Sequence, residues 1–454
     1  MSKPKASETS RRDLLRSAAL AGVGAVVGTA SSPAEAKTEA GEPAPQGATM
    51  HGVAFERTPA VRIGIIGVGG RGSGLLANLL GCEGVTVTAV CDTDKGRAER
   101  AATRITRAGQ PAPALYTSGE KDYENLCKRD DLHFVIVATP WDWHVPMAVA
   151  AMTSGKHVGV EVPVATTIAD CWKLVDVSEK TRRHCMILEN CCYGYNELLA
   201  LNMVKAGALG DLTHAEAAYI HDLRGVLFDQ TGEGSWRRAA HIRRDGDLYP
   251  THGLGPVARY LDIHNGDRFD VLVSLSSLEQ SLTAHQQKAL AAGDPRRKEK
   301  YKCGDMNNAI LKTAMGRTVL LQHDVVSPRP YSRLNLISGT KGAFADYPAR
   351  VFIDGESPHE WETIDRFKAK YEHPLWTRVG ELARKNGGHG GMDFLMLYRL
   401  VECLHQGIAP DMDVYDAAAW SAPGPLSDLS VAKGGAPQKF PDFTRGKWKE
   451  RQTV

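Results

Sequence analysis

Tyr249 and His252 stand three residues apart in the segment Gly246-Asp247-Leu248-Tyr249-Pro250-Thr251-His252-Gly253-Leu254-Gly255-Pro256. That is a helical-turn spacing, which can set both side chains on one face. A phenol and an imidazole so placed can move protons near neutral pH. For this segment alone, a helix start with a satisfied surface histidine is the plainer alternative. Trp236-Arg237-Arg238, just upstream, can add a hydrogen-bonding guanidinium, or be a solvated charge run. His389-Gly390-Gly391-Met392-Asp393 is another polar loop-to-helix entry and ranks as a cap or a support. No HExxH or paired CxxC is present, so no metal is expected.

A second chemistry is written between Val61 and Asp92. An apolar, β-branched run VRIGIIG leads into Gly67-Val68-Gly69-Gly70-Arg71-Gly72, then SGLLANLL with helical spacing, then VTVTAVC ending at Asp92. Strand, glycine turn, helix, strand and acid make a dinucleotide fingerprint. Gly67 permits the tight turn, Gly69 lets the backbone approach a pyrophosphate, and Gly72 lets helix and strand pack closely. The helix N-terminus then faces an anion with free N–H groups and a favourable dipole. Asp92 lies where a carboxylate accepts from the adenosine ribose and repels a 2′-phosphate, so NAD is favoured over NADP.

The surrounding elements must hold these groups together. Leu132–Pro140 reads as a buried strand followed by Trp141-Asp142-Trp143-His144. Lys156–Val162 reads as the next strand, ending in Glu161-Val162-Pro163, and His184–Glu189 as another, ending at Asn190. Three strand ends therefore converge where doubly wound sheets bind ligands. After about Asn196 the pattern changes. Residues 213–224, 269–282, 306–328 and 332–354 are strand-like with no regular helices between them, and Met315-Gly316-Arg317 reads as a hairpin turn. The expected fold is α/β: an N-terminal Rossmann doubly wound parallel sheet, then an α+β domain with an open, mostly antiparallel sheet. The expected boundaries are 59–195 for the first domain and 196–410 for the second, whose helix near 391–403 packs back on the first. Residues 411–454 read as an irregular tail.

Ahead of the fold, Ser10-Arg11-Arg12-Asp13-Leu14-Leu15 and a short Ala/Gly/Val run end at Ala34-Glu35-Ala36. Residues 1–36 are thus expected to be a twin-arginine signal, with 37–58 a linker. The translocase would be a partner during export, and the destination periplasmic or secreted. Nine cysteines, an odd count, sit largely in apolar runs and read as buried thiols. The formal net charge of +2 makes no electrostatic case for nucleic acid or anionic membrane, and no apolar stretch past the signal is long enough to span a bilayer.

These segments resemble the Gfo/Idh/MocA oxidoreductase superfamily, whose dehydrogenases carry Glu-Lys-Pro where this chain has Glu161-Val162-Pro163. Those dehydrogenases also carry an Asp and a His where Pro250 and Leu254 align. The replacements are similar to glycoside hydrolase family 109, the NAD-dependent α-N-acetylgalactosaminidases, through GVGGRGSG, VCD, ATPWDWHVPMA, KHVGVEVP, ENCCYGYNE, YPTHGLGP and GGMDF. The chain departs from that pattern at Gly194-Tyr195 and in a longer stretch between Tyr219 and Trp236. By this resemblance Gly67, Gly69, Gly70, Arg71, Gly72, Asp92, Trp141, Asp142, Trp143, His144, Glu161, Val162 and Asn190 hold NAD. Arg237, Tyr249, Pro250, Thr251, His252 and Tyr331 face the sugar. Tyr249 and His252 share the acid–base work, with their individual roles left open. The implied reaction is oxidation at C3, elimination of the aglycone from C1, addition of water and reduction, with NAD tightly bound and recycled. It differs from two-carboxylate hydrolysis. The substrate would be a small glycoside or a glycan-terminal sugar, and a homo-oligomer is compatible with the reading. Two rival readings are a periplasmic NAD(P)-dependent sugar oxidoreductase and a non-catalytic sugar-binding protein with structural NAD.

Overall fold

The computed structural model describes residues 44–45 and 47–451; the signal reading of residues 1–36 and the first part of the linker lie outside them. Strand β1 (Val61–Ile66), helix α1 (Gly70–Leu79), β2 (Val85–Cys91), α2 (Lys95–Arg107), β3 (Ala114–Tyr116), α3 (Tyr123–Cys127), β4 (Phe134–Val137), α4 (Trp141–Thr153), β5 (His157–Val160), α5 (Ile168–Thr181) and β6 (Cys185–Ile187) alternate as expected. They form a six-stranded sheet in the order β3-β2-β1-β4-β5-β6. Every pairing in it is parallel. Strands β4 and β5 are buried at every residue, which is why their sequences FVIV and HVGV do not alternate. The order reverses between β1 and β4, so the crevice opens above their carboxyl ends.

The second half carries α6 (Tyr195–Lys205), β7 (Leu212–Ile220), α7 (Arg224–Leu227), α8 (Gly234–Arg243), α9 (Thr251–Tyr260), β8 (Phe269–Ser276) and α10 (Ser281–Ala289). Then come β9 (Asn307–Thr313), β10 (Thr318–Asp324), β11 (Leu336–Gly339), β12 (Gly342–Ala345), β13 (Arg350–Ile353) and β14 (Glu362–Thr363). The strand-like stretch 269–282 ends earlier than expected, because Ser281 opens a helix. The sheet has nine strands in the order β14-β13-β12-β11-β7-β10-β9-β8-β15, with β15 at Gln438–Lys439. Only β7 and β10 pair in parallel. Strand β9 alternates buried and exposed along NNAILKT, the period-2 signature of a sheet with one covered face. Helices α11 (Asp365–Tyr371) and α12 (Pro374–Asn386) lead to α13 (Met392–Gln406), which packs on α1 and β1 as the sequence led us to expect. The described residues form one compact unit that contains both sheets.

Two boundary readings are corrected. The tail from 411 is not irregular: α14 (Val414–Ser421) and α15 (Pro423–Ala432) are helices, and Tyr415 and Trp420 are fully buried. Helix α14 starts on a reciprocal capping box between Asp413 and Asp416 and packs against α5 and β6. Pro423 sits in the first turn of α15, where its missing N–H costs nothing, so a proline that reads as a breaker is a helix start. The later part of the linker is also ordered onto the core. Met50 and Phe55 are buried, and the Met50 N–H donates to the Tyr415 hydroxyl at 2.9 Å. All nine cysteines are buried free thiols. Among the described residues no helix is long and apolar enough to cross a membrane.

Candidate active site

The glycine turn is built by close approach. Gly67 has φ +85°, and a Cβ there would lie 2.4 Å from the Ala138 carbonyl oxygen. A Cβ on Gly72 would lie 1.9 Å from the Gly67 carbonyl oxygen. Gly69 is the N-cap of α1 and supplies no side-chain cap, so the first N–H groups of the helix remain for a ligand. Asp92 directly follows β2 and accepts from the Val68 N–H at 2.9 Å and the Asp94 N–H at 2.9 Å, which aims its carboxylate along the turn. These features fit a dinucleotide: uncapped amides for pyrophosphate and a fixed acid at the ribose position.

A cavity of about 650 Å³ runs from this turn to the second half of the chain. Its wall includes Gly67, Gly69, Gly70, Arg71 and Asp92 at one end, and Tyr219, His221, Trp236, Arg237, Tyr249 and His252 at the other. Trp141, Trp143, His144, Glu161, Val162 and Asn190 line the middle, so the three strand ends do converge. Gly72, Asp142, Pro250, Thr251 and Tyr331 are not on the wall. Gly72 serves the turn from behind, Asp142 is exposed, and Pro250 and Thr251 are buried. Tyr331 is exposed, its ring 4.9 Å from that of the wall residue His221. His144 reaches the wall with its ring nitrogens each 2.8 Å from a carbonyl oxygen, of Pro163 and of Thr139, and as a buried, neutral imidazole it donates to one of the two. It braces the loop after β5.

Arg71 is doubly paired, with Glu161 at 2.6 Å and Asp393 at 2.8 Å. Asp393, the second residue of α13, also accepts from Asn190 at 2.7 Å and contacts His389 Nδ1 at 2.8 Å. One carboxylate thus ties the first turn of α1, the end of β6 and the Gly-rich loop before α13. Burial opposes its ionisation, but His389 and Arg71 outweigh burial and hold Asp393 below the usual carboxylate range. Glu161 goes the other way: burial pushes it up, and Arg71 only partly compensates.

At the far end the groups are aromatic. The Tyr249 and His252 rings sit 4.9 Å apart and nearly perpendicular, so the three-residue spacing does place them together. Tyr219 joins them, 4.6 Å from Tyr249 and 5.3 Å from His252, and its hydroxyl pairs with His221 Nδ1 at 2.9 Å. Arg237 lies over the rings of Tyr249, Trp236 and Trp141 at 4.9, 5.1 and 5.3 Å, a cation–π cage. Its Nε is 2.8 Å from Glu233, an ion pair whose N–H does not point at the carboxylate. Burial lifts Tyr249 well above its ordinary value and Tyr219 to about 12, so both are neutral phenols at pH 7.

His252 Nδ1 faces the carboxylate of Glu189, at 2.8 Å from Oε1 and 3.0 Å from Oε2. In the sequence Glu189 reads as the end of a strand and carries no role. The signal was available, because Glu189 ends the run that leads to Asn190 at the same sheet edge as Glu161. Tyr219 and His221 likewise read only as strand, although an i, i+2 spacing puts both on one face of a strand. Glu189, Cys191 and His252 offer donor atoms within 4.8 Å of one another, a set zinc accepts and one that ligand spacing in the sequence does not reveal. Burial pushes the Cys191 thiol well above its ordinary value, so it stays protonated and is a poor ligand as it stands.

Residues 193–450 match the family model "Glycosyl hydrolase 109, C-terminal domain". The chain belongs to glycosyl hydrolase family 109. Residues 61–188 match "Oxidoreductase family, NAD-binding Rossmann fold". A family 109 protein of Solibacter usitatus is 57% identical over 449 residues, covering 98% of this chain and 100% of that one. Another, from Streptomyces filamentosus, is 50% identical, covering 95% of this chain and 88% of its own length. Among solved structures, an oxidoreductase domain protein from Kribbella flavida superposes with a TM-score of 0.66 at 19% identity, covering 85% of this chain and 100% of that one. Levoglucosan dehydrogenase in complex with NADH and levoglucosan gives 0.65 at 20% identity, covering 84% and 100%. The family 109 chain therefore carries an NAD-binding oxidoreductase fold under a glycoside hydrolase family name.

Proposed function

We propose that this protein hydrolyses α-linked N-acetylgalactosamine, or a closely related sugar, by oxidation, elimination, water addition and reduction on one bound NAD. The observation that carries the reading is the single cavity that joins the glycine turn to the Tyr249–His252 pair. NAD, bound along Gly67–Arg71, Asp92, Trp141, Glu161, Val162 and Asn190, supplies a reversible hydride acceptor that is restored each turnover. Tyr249, kept as a neutral phenol by burial, donates a hydrogen bond to a sugar oxygen, while Tyr219, neutral for the same reason, pairs with His221 and packs on the Tyr249 and His252 rings. His252 is the group that takes and returns a proton at the carbon made acidic by the neighbouring ketone. Arg237 orients the sugar from within its aromatic cage. Among the described residues no lysine lines the cavity; Val162 occupies the position where the related dehydrogenases carry theirs, which speaks for hydrolysis over net oxidation. The Arg11-Arg12 pattern supports export of the folded, NAD-loaded protein to the periplasm.

The test is a screen of p-nitrophenyl glycosides, α-N-acetylgalactosaminide among them, on purified protein with no NAD added. Turnover without net NADH, deuterium from D₂O at C2 of the product, and near-stoichiometric NAD(H) released on denaturation are the expected results. Stoichiometric NADH formation from free sugars would establish the oxidoreductase reading instead. Tight sugar binding without turnover of any glycoside or free sugar would establish the non-catalytic one.

A further inference from the structure

We infer that Glu189 is a positioning residue that holds His252 as its Nδ1–H tautomer and presents Nε2 to the cavity. This rests on the reading of His252 as the proton-transfer group. Glu189 ends the β6 run and is wholly buried, whereas the His252 side chain keeps 15% of its surface exposed at the cavity wall. Both carboxylate oxygens lie within 3.0 Å of Nδ1, and Oε1 also accepts from the Cys191 N–H at 3.0 Å. Among the described residues His252 is the sole basic side chain paired with Glu189.

The approach of α9 to this carboxylate is built into its sequence. A Cβ on Gly255 would meet Glu189 Cγ at 3.0 Å and Cys192 Sγ at 3.1 Å, and one on Gly253 would meet the Ala218 backbone at 2.4 Å. Two glycines thus let a helix sit directly against the end of β6 and against β7, bringing its imidazole onto a carboxylate from another part of the chain. Burial alone would raise Glu189, but attraction to and the hydrogen bond with His252, and the Cys191 N–H, outweigh it, so the group is anionic. A buried anion facing Nδ1 makes Nδ1 the protonated nitrogen and stabilises the imidazolium formed when Nε2 takes a proton. The other titratable groups around His252 are Cys191 beside Glu189, Tyr219 from β7 and His221 just after it, Tyr249 from its own segment and Glu161 from the end of β5. Of these, the thiol and the phenols are neutral at pH 7, and Glu161 is committed to Arg71.

The experiment uses holoenzyme labelled with ¹⁵N-histidine, with the His252 signals assigned by their loss in His252→Gln. Wild type should show a pyrrole-type Nδ1 and a pyridine-type Nε2 at pH 8. Glu189→Gln keeps an acceptor for Nδ1–H but removes the charge. It should retain the tautomer, NAD content and KM while losing roughly 10–100-fold in kcat, with the acid limb of the pH profile moved to lower pH. Glu189→Leu should mix the tautomers and approach the rate of His252→Ala. An Nε2–H tautomer in wild type, or a Glu189→Gln profile that overlays wild type, overturns the inference. If no glycoside turns over, the hydrolase reading fails, while the ¹⁵N shifts of wild type and Glu189→Gln still decide the role of Glu189.

Discussion

At one end of the cavity the ligand would meet backbone: Gly67, Gly69 and Gly70 with the uncapped first turn of α1, and an Asp92 whose own oxygens are held by backbone amides. At the other end it would meet side chains: Tyr219, His221, Trp236, Arg237, Tyr249 and His252, brought in from β7, α8 and the entry of α9. A backbone site tolerates few changes of shape but does no proton chemistry of its own. A side-chain site does the chemistry, and each group depends on a neighbour that fixes it. The two ends meet at Glu161, Asp393 and Asn190, where Arg71 is clamped. Substitutions should therefore separate into those that empty the cofactor end and those that silence the sugar end.

The largest separation is expected at His252. His252→Ala should lower kcat on an α-N-acetylgalactosaminide by roughly 10²–10⁴-fold, the usual worth of a positioned acid–base group. Bound NAD should stay close to wild type, because the side chain lies at the far wall from the glycine turn, whereas the melting temperature should fall, because the wholly buried Glu189 carboxylate loses its basic partner. A variant with wild-type turnover would remove His252 from the chemistry. A variant that loses its NAD would show that the two ends are not separable.

The reverse pattern is expected at Gly72. A methyl group there collides with the Gly67 carbonyl at 1.9 Å, and a backbone atom cannot swing aside as a side chain can. Gly72→Ala should cost about 1–3 kcal/mol through overpacking and strip NAD from the purified protein. The far wall, with its Tyr249–His252 contact, should be unaffected. Denaturant melts and quantified released nucleotide give both numbers; full NAD occupancy would show that the turn can relax.

The same contrast explains what could be read before the fold was known. The nucleotide end is local: strand, glycines, helix, strand and Asp92 occupy one continuous run from Val61 to Asp92, and glycine types report backbone geometry directly. The parallel strands were legible because burial on both faces makes their runs uniformly apolar. The sugar end is non-local. Tyr249 and His252 could be paired by helical spacing, but their partners lie at Glu189 and Tyr219, and nothing in the spacing of those residues marks them as neighbours. Asp393 was seen only as part of a helix entry, because its role depends on α13 packing against α1. The tail was misread since Pro423 and Gly424 look like breakers, while the burial of Tyr415 and Trp420 that makes α14 a core helix is a tertiary fact.

The smallest effect expected concerns pH and belongs to the sugar end alone. Asp247, two residues before Tyr249, is completely buried; Oδ1 accepts from the Tyr249 N–H at 2.9 Å and Oδ2 is without a hydrogen-bond partner. Burial pushes its carboxyl from 3.8 up to about 7. The unfolded chain gives up this proton near pH 4, whereas the folded chain keeps it until about pH 7. Between those values the folded state binds more protons, so this group's contribution to stability falls as pH rises and levels off above 7. Asp247→Asn retains an acceptor for the Tyr249 N–H and removes the ionisation. The loss of stability between pH 5 and pH 7.5 should therefore be smaller in the variant, by about 1–3 kcal/mol. Denaturant titrations of both proteins at the two pH values measure that double difference, in which any constant cost of the substitution cancels. NAD content should be the same at both pH values, since Asp247 lies under the Tyr249 segment and not under the glycine turn. Parallel pH profiles for the two proteins would mean that Asp247 ionises normally in the fold, and the entry to α9 would then be more hydrated than its burial implies.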